Sequence, residues 1–414
     1  MERYITAIIG GGASGLVVAS ALSSDTGNTI LFERGDRLGK KLSATGNGQG
    51  NITNLGVLDA EYFSSKKTGT ARVQKLLRAY DHNSLMDFLR ELGILLIADE
   101  RGRVYPAGRQ ASSLTDALRY KVAQKGVDVR LQRKVLSIKR KGTGEGSGFL
   151  LTVQTPNGEE RVCADNVVLC AGGKAAKNFG TDGTAYALAE EFGHTVTPLY
   201  PSLVQLKTDT AYTKTLKGIR VNDALLTATF KDGSVQEKGD VIFTDYGVSG
   251  DAVFRISAFI ADKIAKDEVT LTIDFLPDFS QIELLNALQN KRKNFSELPV
   301  NELLGGMVNN QVGRMVFKRA QNDVVRAAAL VKNFTLTVTG SLGFDYAQMT
   351  KGGVRLDETD EALQSVFVNG LYFAGEILDV DGQCGGFNLQ WAYSSARCVA
   401  AAIEAKISKG RGQV

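Results

Sequence analysis

The feature that most constrains this chain is Gly10-x-Gly12-x-x-Gly15, which follows the apolar run Ile5 to Ile9 and leads into a helical pattern over Leu16 to Ser23. A second apolar strand, Asn28 to Glu33, completes one βαβ unit. Gly10 permits the tight turn, Gly12 lets the backbone approach a pyrophosphate at the positive end of the helix, and Gly15 allows close helix-sheet packing. Glu33 can accept hydrogen bonds from ribose hydroxyls, and its charge repels a 2′-phosphate, so an NADP site is excluded here. Ala13, Ser14 and Arg34 flank these positions and join the candidate dinucleotide-binding set.

Composition narrows the class. The chain has 414 residues, enough for two or three compact units. Hydrophobic residues make up 43% and charged residues 23%, which argues against disorder and against a disulfide scaffold. A formal charge of +4 exerts no strong pull towards nucleic acid or acidic membranes. No signal-peptide pattern opens the sequence, and no apolar run approaches the ~18 residues of a membrane span. A cytoplasmic protein with no membrane partner and no nucleic acid partner is expected. Cys163, Cys170, Cys384 and Cys398 form no C-x-x-C pair, and His82 and His194 are the only histidines, so no metal site is expected.

Along the chain, Arg34 to Asn54 is too rich in glycine for a helix interior and reads as a loop. Helical patterns cover Ala71 to Leu92 and Ser113 to Gln124. Val127 to Leu131 and Val135 to Lys139 read as strands. The glycine-rich stretch Lys141 to Gly148 lacks a following helix and reads as a hairpin connection to Phe149 to Gln154, not as a phosphate cradle. Val167 to Gly173 is an apolar strand with a glycine end. Beyond Tyr200 the alternating segments Ala224 to Phe230 and Val241 to Thr244 suggest antiparallel strands, and Gln281 to Lys318 is largely helical. The chain then returns to a short strand, Leu371 to Gly375, and a last helix from about Asn388 to Ile407.

The fingerprint alone does not separate FAD from NAD. Gly375-Glu376 follows a late strand, as in glutathione-reductase-type flavoproteins, where such an acid lies on the ribityl and phosphate side of the flavin. Ala171-Gly172 is a similar strand end. Gly386-Phe387-Asn388-Leu389 opens the last helix, whose free N–H groups would stabilise negative charge on the N1–C2 edge of a reduced flavin. FAD is therefore the expected cofactor, with NADH or NADPH as a candidate transient reductant, since no second fingerprint exists for a resident nicotinamide nucleotide.

Taken together, Arg37 to Leu42, Thr45 to Gly48, Asn51 to Asn54, Gly102 to Pro106, Phe243 to Gly250, Thr350 to Val354, Gly370 to Gly382 and Gly385 to Ala392 resemble the BaiN-like or aminoacetone oxidase family of FAD-dependent oxidoreductases. The resemblance spans nearly the whole chain. It implies an α/β layout: a Rossmann-type FAD-binding domain made of both chain ends (1–198 plus 341–414), an inserted antiparallel β-rich domain (199–275 plus 320–340) and a small helical subdomain (276–319). It also places the loop carrying Lys41, Gly46, Gly48, Asn51 and Thr53 against the cofactor, and Val135 completes the candidate set. The chain departs from the family pattern at Gln49-Gly50, where members commonly carry Arg-Cys, so a thiol there has no part in its mechanism. Lys174-Ala175-Ala176 replaces Ser-Tyr-Pro, and Asp251 stands where a proline often follows Ser-Gly.

Catalytic candidates are few. Arg103 and Tyr105 are read either as lining the substrate approach, the arginine holding an anionic or carbonyl group, or as surface residues. Cys384, beside the glycine pair at a helix start, is a candidate thiolate, against the plainer reading of an isolated cysteine as a small buried hydrophobe. His82 behind Asp81 reads as a helix start, and His194 as part of a turn. The leading expectation is an FAD-dependent oxidoreductase that exchanges hydride with a small organic substrate at flavin N5, in the cleft between the FAD domain and the insert. The alternatives are an RNA-modifying flavoprotein, as some relatives of this architecture act on tRNA, and a flavin-binding protein without turnover.

Overall fold

Central parallel strands are buried on both faces and must be apolar throughout. Arg3–Ile9, Thr29–Phe32 and the end of Gly158–Leu169 meet that demand with Ala7 to Ile9, Ile30 to Phe32 and Val167 to Leu169, all buried. In the computed structural model, which describes residues 1–22, 28–142 and 148–411, these strands form the middle of a seven-stranded sheet. Its order runs Asp128–Arg130, Thr29–Phe32, Arg3–Ile9, Gly158–Leu169, Gly148–Thr155, Lys134–Lys141, with Leu371–Phe373 paired in parallel to the end of Gly158–Leu169. The last two strands of that order are antiparallel and register Lys141 with Gly148, while the tip of the glycine-rich hairpin lies outside the described residues. Ser23, the expected end of the first helix, lies outside them too; the helix is Ala13–Ala21.

Several local expectations change. The glycine-rich loop after Glu33 contains an α-helical turn, Lys40–Ser43, which Gly39 at φ 69° lets the chain enter, and a 3-10 turn, Thr45–Gly48. The apolar pattern over 71–92 is two helices, Lys67–Ala79 and His82–Glu91, separated where Asp81 caps the second by accepting the Ser84 N–H. The strand before Gly172 ends at Leu169, so Cys170 to Gly173 leave the sheet. The last helix runs Phe387–Arg411.

The chain divides into two units, Met1–Leu199 with Met349–Val414, and Tyr200–Gln348. The second unit is a closed antiparallel barrel in the order Leu206–Thr208, Gly247–Ser249, Gly233–Phe243, Arg220–Phe230, Val269–Asp274, Phe334–Ser341. Strict alternation sends Val269, Leu271 and Ile273, and Phe334, Leu336 and Val338, inwards. Phe275 bridges the rings of Phe243 and Phe334 at 6.3 and 5.4 Å. The segment over 281–332 forms three helices, Gln281–Asn294, Asn310–Arg319 and Val324–Lys332, whose apolar faces join the same core as the barrel.

In the first unit, the approach to Leu371–Phe373 is pinned by a buried imidazole. His194 lies between Phe367 and Phe373, with ring centroids 5.0 and 4.7 Å away. Ser365 Oγ accepts the N–H groups of Phe367 and Val368, so its own hydrogen points to His194 Nε2 at 2.7 Å. The imidazole proton therefore belongs on Nδ1, which faces Glu358 Oε2 at 3.5 Å. Burial pushes the His194 pKa down, and Glu358 opposes this only in part. An imidazole kept neutral in the fold takes a proton more readily when unfolded. Its contribution to stability is thus complete above the unfolded pKa of about 6.5 and declines as pH falls below it. Thermal melts between about pH 8 and pH 5 should show this decline, and His194→Gln should flatten it; equal slopes would show that another group is responsible.

Candidate functional site

Three glycines of the fingerprint answer to three different constraints. Gly10 has φ 103°, and a Cβ there would lie 2.7 Å from the Ala171 Cα, so two strand ends touch through bare backbone. At Gly15 a Cβ would lie 1.9 Å from the Gly10 carbonyl oxygen. Gly12 differs: it has φ −80°, and a Cβ would meet nothing within 4 Å. It is also the N-cap of Ala13–Ala21 with no side-chain cap. The protein leaves open space beside uncapped, partly positive N–H groups, the chemistry that a pyrophosphate requires.

Glu33 Oε2 accepts the Gly11 N–H at 2.8 Å and Oε1 accepts that of Gly35 at 2.6 Å, which fixes the carboxylate while leaving each oxygen a lone pair for a hydroxyl. Arg34 is held by Asp182 at 2.7 Å. Burial raises the Asp182 carboxyl pKa, but Arg34 and Thr184 outweigh it and bring it down to about 2. Val135 is buried two residues beyond Arg133, whose N–H donates to the Glu33 carbonyl. Buried Ser14 meets Gly375, where φ 80° and a Cβ position 2.6 Å from Ser14 Oγ require glycine. Ala13 opens the helix.

The two chain ends are joined by side chains. Lys41 Nζ contacts Glu376 Oε2 at 2.6 Å, and Glu376 Oε1 accepts the Thr350 N–H at 2.9 Å. Thr350 Oγ1 in turn accepts the N–H groups of Lys174 and Ala175, just past Gly172 at φ 72°. Thr53 Oγ1 donates to Gln390 Oε1 at 2.6 Å. The Asn51 amide, oriented to satisfy both neighbours, accepts the Gly386 N–H and donates to the Thr53 carbonyl. Asn388 closes the turn onto Gly382, the Phe387 carbonyl accepts Tyr62 OH at 2.9 Å, and Leu389 packs on the core. The Gly375 N–H donates to Ser395 Oγ and its carbonyl accepts Trp391 Nε1. Gly46, Asn47, Gly48 and Gly50 all have left-handed backbone, and Gly48, like Gly12, faces open space.

The remaining candidates form a second cluster. Asn54 Nδ2 donates to the Arg101 and Gly385 carbonyls, tying the strand of Arg103 and Tyr105 to the loop of Cys384. Arg103 is engaged by Asp99 at 2.7 Å; burial pulls its pKa down, and the carboxylate more than restores it. Tyr105 is buried, with the Arg109 guanidinium 4.5 Å from its ring centroid. His194 is held by Ser365 as described for the fold, and His82 opens its helix two residues past Tyr80, whose carbonyl accepts Gln390 Nε2. Asp182, Thr350, Asn54, Ser395 and Arg109 join these groups without a sequence expectation of their own. Asn54 and Thr350 stand inside motifs that could have named them, whereas Asp182 carries no local signal. Among the described residues no cluster of His, Cys, Asp and Glu could hold a metal ion, and no helix is long and apolar enough to cross a membrane.

A family model described as HI0933-like protein Rossmann domain matches residues 4–402. The chain is 33% identical over 407 residues to the 3-dehydro-bile acid delta(4,6)-reductase of Clostridium scindens, covering 94% of this chain and 96% of that one. It is 30% identical over 428 residues to the ribosomal RNA dihydrouridine synthase of Escherichia coli, covering 99% and 100%. Among solved structures it resembles the 3-ketosteroid delta1-dehydrogenase of Sterolibacterium denitrificans with a TM-score of 0.50 at 14% identity, covering 98% and 100%, a likeness of fold.

The fingerprint geometry separates folding from binding. Gly12→Ala should cost no more than ~1 kcal/mol, the price of a poorer N-cap, yet purify without flavin. Gly15→Ala should lose at least ~3 kcal/mol through overpacking. Urea denaturation and the flavin retained after desalting measure both; full flavin retention in Gly12→Ala would remove Gly12 from the binding site.

Proposed function

The chain belongs to the HI0933-like Rossmann family, and we propose that, as an enzyme of this FAD-dependent oxidoreductase class, it exchanges a hydride between flavin N5 and a small organic substrate. The observation that carries the cofactor reading is the uncapped helix start at Gly12, which faces space that no protein atom fills. Gly10, Gly12 and the N–H groups of Ala13 and Ser14 would hold the pyrophosphate, and Glu33 the ribose of the adenosine. The joined strand ends at Ala171-Gly172 and Gly375-Glu376, with Lys41, would meet the ribityl and phosphate side. The loop Gly46 to Thr53 and the helix start Gly386 to Leu389 would border the isoalloxazine ring. Bound FAD supplies the redox chemistry; the protein orients it and sets its potential.

For the substrate we favour an alkene conjugated to a carbonyl. The Clostridium scindens relative is, by its name, a reductase of a 3-dehydro-bile acid, and it matches this chain along almost its entire length. In such a reduction the hydride goes to the carbon β to the carbonyl and a proton to the α carbon, with NADH or NADPH as the ultimate electron donor. A second reading, reduction of a uridine in RNA, is favoured by the whole-length match to the Escherichia coli ribosomal RNA dihydrouridine synthase. The near-neutral charge balance weighs against it. A cytoplasmic location agrees with either.

Mixing the FAD-loaded protein with NADH or NADPH without oxygen, and following flavin absorbance near about 450 nm, tests the reductase reading. Bleaching within seconds, and recovery on adding 3-oxochola-4,6-dien-24-oic acid, are expected. Bleaching reversed by unmodified ribosomal RNA and not by the dienone would favour the second reading. No bleaching by either nucleotide would point to an oxidase or dehydrogenase reduced by its own substrate.

A further inference from the structure

Resting on the reading of a small-molecule oxidoreductase, we propose that Arg109 is the residue that selects an anionic substrate, by offering its guanidinium to a carboxylate of that substrate. Arg103, the arginine that the motif suggests for this task, has its Nε and Nη2 both on Asp99 at 2.7 Å, so its charge is already matched. Arg109 differs in every respect that matters. Its guanidinium lies 4.5 Å from the ring centroid of buried Tyr105, and Nη1 donates to Gln49 Oε1 at 3.2 Å. Among the described residues no carboxylate lies within ion-pair distance of it, and the side chain is exposed. An aromatic face and an amide oxygen orient the planar fork without neutralising it, leaving N–H groups for a bidentate acceptor.

Backbone geometry supports the same assignment. The turn Pro106-Ala107-Gly108-Arg109 closes with the Arg109 N–H on the Pro106 carbonyl. Its left-handed position falls on Arg109, at φ 47°, although Gly108 stands next to it. At that φ the turn fixes the direction in which the Arg109 side chain leaves the backbone. The turn is also fixed to the loop assigned to the cofactor. Gln49 belongs to that loop, and a Cβ at Gly50 would lie 3.0 Å from the Ala111 Cα. The cation thus stands at the edge of the loop Gly46 to Asn51, where a substrate lying against the flavin would present a group remote from its reacting carbon.

The test uses FAD-loaded protein and a matched pair of probes, 3-oxochola-4,6-dien-24-oic acid and its methyl ester, with affinity read from the perturbed flavin spectrum and turnover read with NADH or NADPH. The wild type should bind the acid about tenfold more tightly than the ester. Arg109→Gln should abolish that preference with ester binding and flavin content unchanged, and Arg109→Lys, which keeps the charge but loses the planar fork, should restore part of it. Equal affinity for acid and ester, a preference that survives in Arg109→Gln, or failure of both probes to bind overturns the proposal. The two readings separate cleanly: an Arg109-dependent preference without nicotinamide-driven turnover sinks the reductase reading alone, whereas turnover of acid and ester alike sinks the role of Arg109 alone.

Discussion

The first unit depends on one close approach of backbone to backbone. At Gly10 the end of the first strand touches Ala171 as the chain leaves Gly158–Leu169, and Gly15 brings the first helix against the Gly10 carbonyl. The first strand, the helix that follows it and the distant segment at Ala171 therefore meet through bare backbone at Gly10 and Gly15, where the close approach leaves no room for a Cβ. The consequence is functional. The helix that starts beside this junction directs its uncapped N–H groups to the crest of the sheet, where the parallel strands end and ligands of open α/β sheets bind.

Around that junction the chain ends are fastened by polar contacts at the same crest. Lys41 and Glu376, Thr53 and Gln390, and Trp391 and Gly375 each join an early segment or the late strand to another segment. The ion pair is mostly shielded from water, where a charge without its counter-ion is costly. Glu376 is stabilised further by the Thr350 N–H, which itself belongs to a chain of bonds reaching Lys174 and Ala175. A cofactor held by such a frame meets groups already oriented before it binds, so little ordering entropy remains to be lost.

How much of this was legible follows from the range of each interaction. The βαβ unit, the late Gly375-Glu376 and the glycine turn at Gly385-Gly386 are local patterns; in the fold Gly375 meets Ser14 and Gly386 meets the Thr53 backbone. The helical turn Lys40–Ser43 was hidden by the surrounding glycines. Its formation rests on Gly39 and on packing against Ala111–Gln124. The break at Tyr80-Asp81 was concealed because the apolar spacing runs through it, although Asp81 is an ordinary N-cap. Asp182 was invisible, since nothing near it in sequence announces that it will meet Arg34.

The sequence by itself determined the Rossmann class, the glycine-bound turn, the acid at Glu33 and the family, because strand and helix periodicity and turn chemistry act over a few residues. Only the tertiary structure decided which charges are spent and which are available. The motif Gly102 to Pro106 drew attention to Arg103, yet that arginine is matched by Asp99, whereas Arg109, outside the motif, lies on Tyr105 facing solvent. Electrostatic partnership depends on distances of a few ångströms between segments, and those distances exist only once the chain has folded.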